Sequence, residues 1–365
     1  MFRAAAILVL SVFAGPISAD TLQTSAGTVQ VTAMVTGLDA PWAIGLLPGG
    51  GTLVTERDGD LLFVSQGEVK RIAGVPKVAA NGQGGLLDIT VARDFAQTRE
   101  VFLTISKPQS GGAGTAVAVA RLSENGIRLN NVRVIFEAVP GGSTSRHFGS
   151  RVVEAQDGTL FVTIGDRGDR PSAQDRSNHL GTVIRINRDG SVPADNPFVG
   201  QAGLRPEIWS FGHRNPQGAG LDRQGHLWIS EHGAQGGDEV NLIQRGLNFG
   251  WPVISYGVHY SGQKIGEGTS KPGMEQPEHY WDPSIAPSGL LVYSGKLWPE
   301  WRGDIFVGSL KFDYISRLEG TPLREVEQIK GPETERVRDI VEAPDGAIWF
   351  ISVGQGAIYR MTPKK

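Results

Sequence analysis

One phrase recurs along this chain: a tight-turn signal followed at once by a short apolar strand. It reads Asp58-Gly59-Asp60-LLFVS, Asp157-Gly158-Thr159-LFVTIG, Gln224-Gly225-His226-LWISE, Arg302-Gly303-Asp304-IFVGS and Asp345-Gly346-Ala347-IWFIS, with a weaker copy in Thr98-Arg99-Glu100-VFLTIS. Anchored on Gly59, Glu100, Gly158, Gly225, Gly303 and Gly346, the steps are 41, 58, 67, 78 and 43 residues. The shortest steps match one four-stranded propeller blade, and the longer ones a blade with an inserted loop. Asp-Gly supplies the positive φ of a hairpin turn, and the apolar run behind it suits a strand buried between stacked blades. Six anchors predict an all-β, six-bladed β-propeller with Gly-rich loops and insertions on one face. Residues 29–38 are expected to add a strand to the last blade and close the ring, which removes a free sheet edge. An open β-sandwich assembly with chance Asp-Gly turns is the duller alternative.

Composition agrees with many turns between short strands. Gly makes up 50 of 365 residues, about 14% and roughly twice the usual share. A helical bundle would be rich in Ala, Leu, Glu and Lys instead. The 39% hydrophobic content and a net charge of −3 argue against disorder. A sequence pI near 6.2 leaves no electrostatic footprint for nucleic acid or an anionic membrane surface.

The N-terminus reads as a separate unit. Arg3, an apolar stretch from Ala4 to Ala14 and Ile17-Ser18-Ala19 before Asp20 have the pattern of a cleaved signal peptide, residues 1–19. Residues 20–365 are then expected to be a single propeller domain in the periplasm. No later run approaches the ~18 apolar residues of a membrane-spanning helix, so no integral membrane segment is expected. With no Cys, core burial or bound ions must stabilise the exported chain.

Familiar catalytic motifs are missing. There is no HExxH, P-loop, GxSxG elbow or GxGxxG between strand and helix. What remains is a set of dense polar phrases at strand ends: Asn81-Gly-Gln83-Gly-Gly-Leu-Leu-Asp88, Ser145-Arg-His147-Phe-Gly-Ser-Arg151, Thr163-Ile-Gly-Asp166-Arg-Gly-Asp169-Arg170, SFGHRNPQG over 210–218, SEHGAQGGDE over 230–239, and RVRD over 336–339. His147 precedes one strand and Asp166 ends the next. A carboxylate beside an imidazole fixes its tautomer and supports its charged form, which suits a general base. The same spacing also fits a structural His–Asp pair that closes a loop.

GHRNPQG together with SEHGxxGGDExNL makes the chain similar to the soluble quinoprotein sugar dehydrogenases, which use pyrroloquinoline quinone (PQQ); the resemblance runs through nearly all of residues 20–365. It implies a six-bladed propeller that oxidises aldoses at C1 to lactones, with His147 as general base and Asp166 orienting it. It also implies that Gln83, Arg214, Asn215, Tyr260, Lys311, Arg336 and Arg338 hold PQQ, with Arg214 also stabilising developing charge. Trp281 is either a flank for the flat cofactor or a blade-rim residue. PQQ carries three carboxylates, and a cationic socket of Lys311, Arg336 and Arg338 suits such an anion; ordinary surface charge is the bland reading of those three. The resemblance further implies Ca²⁺ at the carbonyls of Gly233 and Ala234, and a second ion at Glu239 and the carbonyl of Phe249. Hard oxygen ligands suit calcium, although Asp238 and Glu239 could also cap a loop. An external electron acceptor must complete the cycle. A calcium-dependent propeller lactonase or hydrolase and a non-catalytic sugar-binding propeller remain as alternatives; neither needs the cationic socket together with a base.

Overall fold

In the computed structural model, which describes residues 19–364, the chain forms six antiparallel sheets, five of four strands and one of five. They are the blades of a six-bladed β-propeller. Blade 1 spans residues 41–71, blade 2 86–137, blade 3 152–211, blade 4 216–281 and blade 5 287–329. Blade 6 joins residues 337–363 to the N-terminal strands Ala19–Thr24 and Gly27–Val35. Strand Gly27–Val35 pairs with Ala357–Pro363 in the register Val29↔Pro363, so the expected closing strand is present. Strand Ala19–Thr24 extends the same blade by one more strand, which the sequence did not announce. Apart from Ala19, the expected leader lies outside the described residues. Among the described residues no helix is long and apolar enough to cross a membrane.

The innermost strands are Pro41–Leu46, Leu86–Val91, Val152–Glu154, Pro216–Leu221, Pro287–Val292 and Val337–Glu342, and they surround a central channel. Between blades the packing is apolar: Val162, Ile164 and Ile184 of blade 3 meet Phe102, Val117 and Val119 of blade 2, all buried. Burying a side chain of this size stabilises the fold by about 1.5–3 kcal/mol. That continuous burial, with no Cys available, is what holds neighbouring blades together.

The turn signal falls where expected in four blades. Gly158, Gly225, Gly303 and Gly346 take φ of 82°, 87°, 87° and 90° just before each blade's second strand. Blade 1 departs from the pattern, because LLFVS is its third strand, Leu61–Ser65. Its second strand is Thr52–Glu56, entered through Gly49-Gly50-Gly51, so the Asp58-Gly59 turn lies at the opposite end of the blade. The alternation of strand direction therefore places these four glycine turns, two of them Asp-Gly, on one face. The other face collects the links between blades and the links from second to third strands. Every polar phrase singled out above ends on that other face, apart from the interior of the inner strands. The longest excursion, residues 244–278, reaches it indirectly. It leaves blade 4 from the turn face and runs back beside strand Ile208–Phe211, where Trp251 N donates to Gly212 O at 2.9 Å.

Candidate active site

The site is assembled from link ends on that face. His147 lies in the link between blades 2 and 3, and Asp166 follows blade 3's second strand. His147 Nδ1 is 2.6 Å from Asp166 Oδ1. Gly165 makes the approach possible, since a Cβ there would sit 2.3 Å from the His147 carbonyl oxygen. His147 itself adopts a left-handed φ of 56°. Its main-chain N–H donates to Gln83 Oε1 at 2.7 Å.

Asp166 is fully buried and accepts from three donors. Oδ1 takes His147 and the Gly168 N–H (2.7 Å), and Oδ2 takes Trp251 Nε1–H (2.8 Å). Burial works against ionisation, but the hydrogen bonds and charge of His147 and the bonds from Gly168 and Trp251 hold the carboxyl below its ordinary range. An ionised acceptor at Nδ1 keeps the proton on that nitrogen and leaves Nε2 as the ring's basic atom. Burial pushes the His147 pKa down, Asp166 pulls it back up, and the Arg214 and Arg146 charges push it down again. The net effect is a pKa below the ordinary imidazole value.

Beside this pair, the channel mouth opens into a cavity of about 740 Å³. Gln83, Gly233, Ala234, Tyr260, Lys311, Arg336 and Arg338 all line it. His147, Asp166, Arg214 and Asn215 stand beside the cavity rather than among its lining residues. Arg214 Nη1 donates to His232 O at 3.1 Å, and Asn215 Oδ1 accepts from Gly149 N at 3.1 Å. Arg336 precedes strand Val337–Glu342 with a left-handed φ of 52°, so the i, i+2 spacing of the two Arg in RVRD does not align them by strand alternation. Both nevertheless reach the same cavity. Arg338 Nη1 donates to Gln217 Oε1 at 2.7 Å. Burial and the neighbouring charges of Arg151, Arg336 and Arg57 push the Arg338 pKa down to about 9.

Further lining residues were not expected, among them Trp42, from blade 1's inner strand, Arg57, Asp282 and His232. His232 stood inside the SEHG phrase and could have been weighed with its neighbours. Trp281 is a blade residue, buried against Ile285 and Leu290 with Nε1 donating to Glu325 at 2.9 Å, and does not line the cavity.

The cavity's chemistry fits the anionic quinone implied by the resemblance. Arg57, Lys311, Arg336 and Arg338 line the cavity against a single lining carboxylate, Asp282. Arg214 Nε, Asn215 Nδ2 and His232 Nε2 are buried without partners around it, and an unpaired buried polar atom normally costs about 1–3 kcal/mol. Glu239 and Phe249 line a second, very small cavity of about 10 Å³ together with Glu231 and Gly233. Burial and the charge of Glu231 raise the Glu239 pKa to about 8. Arg214 and His232 line the same space, and Glu231 already accepts from Arg214 N–H and Asn241, so Glu239 is the carboxylate left to offer oxygen to a hard cation. Among the described residues no group of three or more His, Cys, Asp or Glu gathers to hold a metal, so carbonyl oxygens would have to complete the shell.

Comparison with known proteins agrees with this geometry. The glucose/sorbosone dehydrogenase family model matches residues 38–360. Over 347 residues the chain is 40% identical to aldose sugar dehydrogenase YliI of Escherichia coli, covering 92% of this chain and 94% of that protein. Its fold matches the apo crystal structure of the soluble aldose sugar dehydrogenase from E. coli with a TM-score of 0.89 at 39% identity, over 92% of this chain and 100% of that one. It also matches the PQQ-bound form of an aldose sugar dehydrogenase from Streptomyces coelicolor with a TM-score of 0.76 at 25% identity, over 96% and 99%. The chain belongs to the glucose/sorbosone dehydrogenase family of oxidoreductases.

Proposed function

We propose that this protein is a periplasmic quinoprotein that oxidises aldoses at C1 to lactones with bound PQQ and Ca²⁺, His147 acting as general base. The observation that carries the reading is His147, held by buried Asp166 at 2.6 Å, beside a cavity lined by Lys311, Arg336 and Arg338. Bound PQQ supplies the chemistry of a two-electron oxidant, and bound Ca²⁺ that of a fixed positive charge.

The residues divide the remaining work. Lys311, Arg336 and Arg338 bind carboxylates, with Gln83, Asn215 and Tyr260 completing the cradle. The carbonyls of Gly233 and Ala234 hold one calcium ion; Glu239 and the Phe249 carbonyl hold the second. His147 Nε2 takes the proton of the sugar's anomeric hydroxyl while the C1 hydrogen departs with its electron pair. Without that base the product would be an unstable protonated carbonyl. Asp166 keeps the ring in the required tautomer and stabilises the imidazolium. Arg214, whose Nε has no protein partner, offers a donor for negative charge that develops beside it. The sugar loses one proton and one hydride equivalent and becomes the lactone; an external acceptor takes up the electrons.

An ultraviolet-visible titration tests this reading. Saturable binding of PQQ in the presence of Ca²⁺, followed by bleaching on aldose addition, is expected. Full sugar oxidation by chelated, quinone-free protein supplied with NAD would overturn it.

A further inference from the structure

The channel beneath the site is closed by a buried ionic cluster centred on Arg151, which is 4% exposed. Its Nη1 lies 3.0 Å from Asp88 Oδ1 and 2.8 Å from Asp339 Oδ1. Its Nε donates to the carbonyl of Gln217 at 2.7 Å and its Nη2 to the carbonyl of Arg338 at 3.1 Å. The guanidinium also stacks over Trp42, 4.3 Å from the ring centre. The five partners come from four other inner strands: Trp42 from blade 1, Asp88 from blade 2, Gln217 from blade 4, and Arg338 with Asp339 from blade 6. The two carboxylates are anchored in turn, Asp88 Oδ2 by Val152 N–H at 2.8 Å and Asp339 Oδ2 by Ile44 N–H at 2.9 Å.

Three residues touched by Arg151, namely Trp42, Gln217 and Arg338, line the upper cavity. On the other side, Asp88, Arg151 and Asp339 line a lower cavity of about 430 Å³ that shares no lining residue with the upper one. Arg151 therefore sits in the partition between them. A guanidinium suits the task because its fixed fork can meet carbonyls and carboxylates at once; an ammonium cannot span that set.

We propose that Arg151 is a positioning residue for cofactor capture: by fixing the main chain of Gln217 and Arg338 it holds the Gln217–Arg338 side-chain pair as a preformed floor, so that the Arg338 guanidinium meets a carboxylate without rearrangement. This rests on the PQQ reading above. Preorganised binding groups lower the ordering cost at the moment of binding. Arg151 touches no ligand; it acts through Arg338.

The test is a double-mutant cycle read by direct PQQ titration of purified apo protein in Ca²⁺, with thermal unfolding checked for each variant. Loss of a partner behind a metal-ligating residue typically costs about 10–100-fold; by that analogy Arg151→Lys is expected to raise the PQQ Kd at least about 10-fold. In an Arg338→Gln background the same change should raise Kd less than about twofold, because the residue through which it acts is gone. kcat of the PQQ-saturated Arg151→Lys variant should stay near wild type. If Arg151→Lys does not fold, the charge-neutral Arg151→Met/Asp88→Asn/Asp339→Asn variant, which leaves no unpaired buried charge, takes its place with the same expectations. An unchanged Kd, or an equal rise in both backgrounds, would overturn the proposal. Failure of wild-type protein to bind PQQ would instead overturn the quinoprotein reading, and this inference with it.

Discussion

Asp166→Asn probes the centre of the site, because every contact made by that carboxylate is an accepted hydrogen bond. His147 and Gly168 point donors at Oδ1 and Trp251 points one at Oδ2. An amide has only one acceptor oxygen, so its NH₂ must face a donor in either orientation. The less damaging choice keeps oxygen toward His147 and Gly168 and sets NH₂ against the Trp251 indole, at a cost of about 1–3 kcal/mol of folding stability. In that orientation the His147 tautomer survives but the carboxylate charge is gone. With charge centres about 4 Å apart and an effective dielectric of about 20, that charge stabilises an imidazolium by up to about 4 kcal/mol, and by about half as much if water screens it. The predicted fall in kcat is therefore about 30- to 1,000-fold. The pH profile adds a sign. Asp166 raises the His147 pKa against burial and the Arg214 and Arg146 charges, so its neutralisation should lower that pKa and move the acid limb of kcat/KM to lower pH. The assay is steady-state oxidation of an aldose by PQQ-saturated variant with an artificial acceptor, from pH 4 to 9. A near-wild-type kcat with an unmoved acid limb would refute the reasoning.

Three further outcomes are expected. His147→Ala should lower kcat about 10²–10⁴-fold while PQQ titrates as in wild type; a folded, PQQ-loaded variant with normal kcat would end the base assignment. Glu239→Gln should remove the rise in melting temperature produced by Ca²⁺ and, without Ca²⁺, leave stability equal or higher, because it replaces a carboxyl whose ionisation burial and then Glu231 oppose in the folded state; a calcium-induced shift that survives the change would place the ion elsewhere. Intact-mass analysis of periplasmic extract should give a chain beginning at Asp20, and active protein retaining Met1 or Phe2 would exclude the expected leader.

The blades were legible because a tight turn before a buried strand is a local signal. Gly158 and the apolar strand behind it are neighbours in sequence, so one phrase carries both. Blade 1 misled for the same reason: Asp58-Gly59 is a turn of the right chemistry one strand later. Strand Ala19–Thr24 escaped because its residues are mixed polar and its order comes from pairing with Gly27–Val35. At the site, the His147–Asp166 pair, Arg214, Arg336 and Arg338 stood in dense polar phrases, whereas Lys311 came only from the family resemblance. Trp42 was not visible, since a Trp after Pro41 carries no sign of facing a channel. The support behind the site was out of reach altogether. Asp166 meets Trp251 across 85 residues, Arg151 meets Asp88 across 63, and Arg338 meets Gln217 across 121. Such contacts exist only once the ring has closed.

The central claim, oxidation of an aldose at C1 by this chain with PQQ, is tested most directly by single turnover with sugar deuterated at C1. Protein loaded with PQQ and Ca²⁺ is mixed with the labelled aldose under anaerobic conditions, and the products are weighed by mass spectrometry. The account predicts one lactone per active site, formed without the C1 deuterium, and none from protein lacking PQQ. Sugar recovered with its label intact, or lactone formed equally well without the quinone, would contradict it.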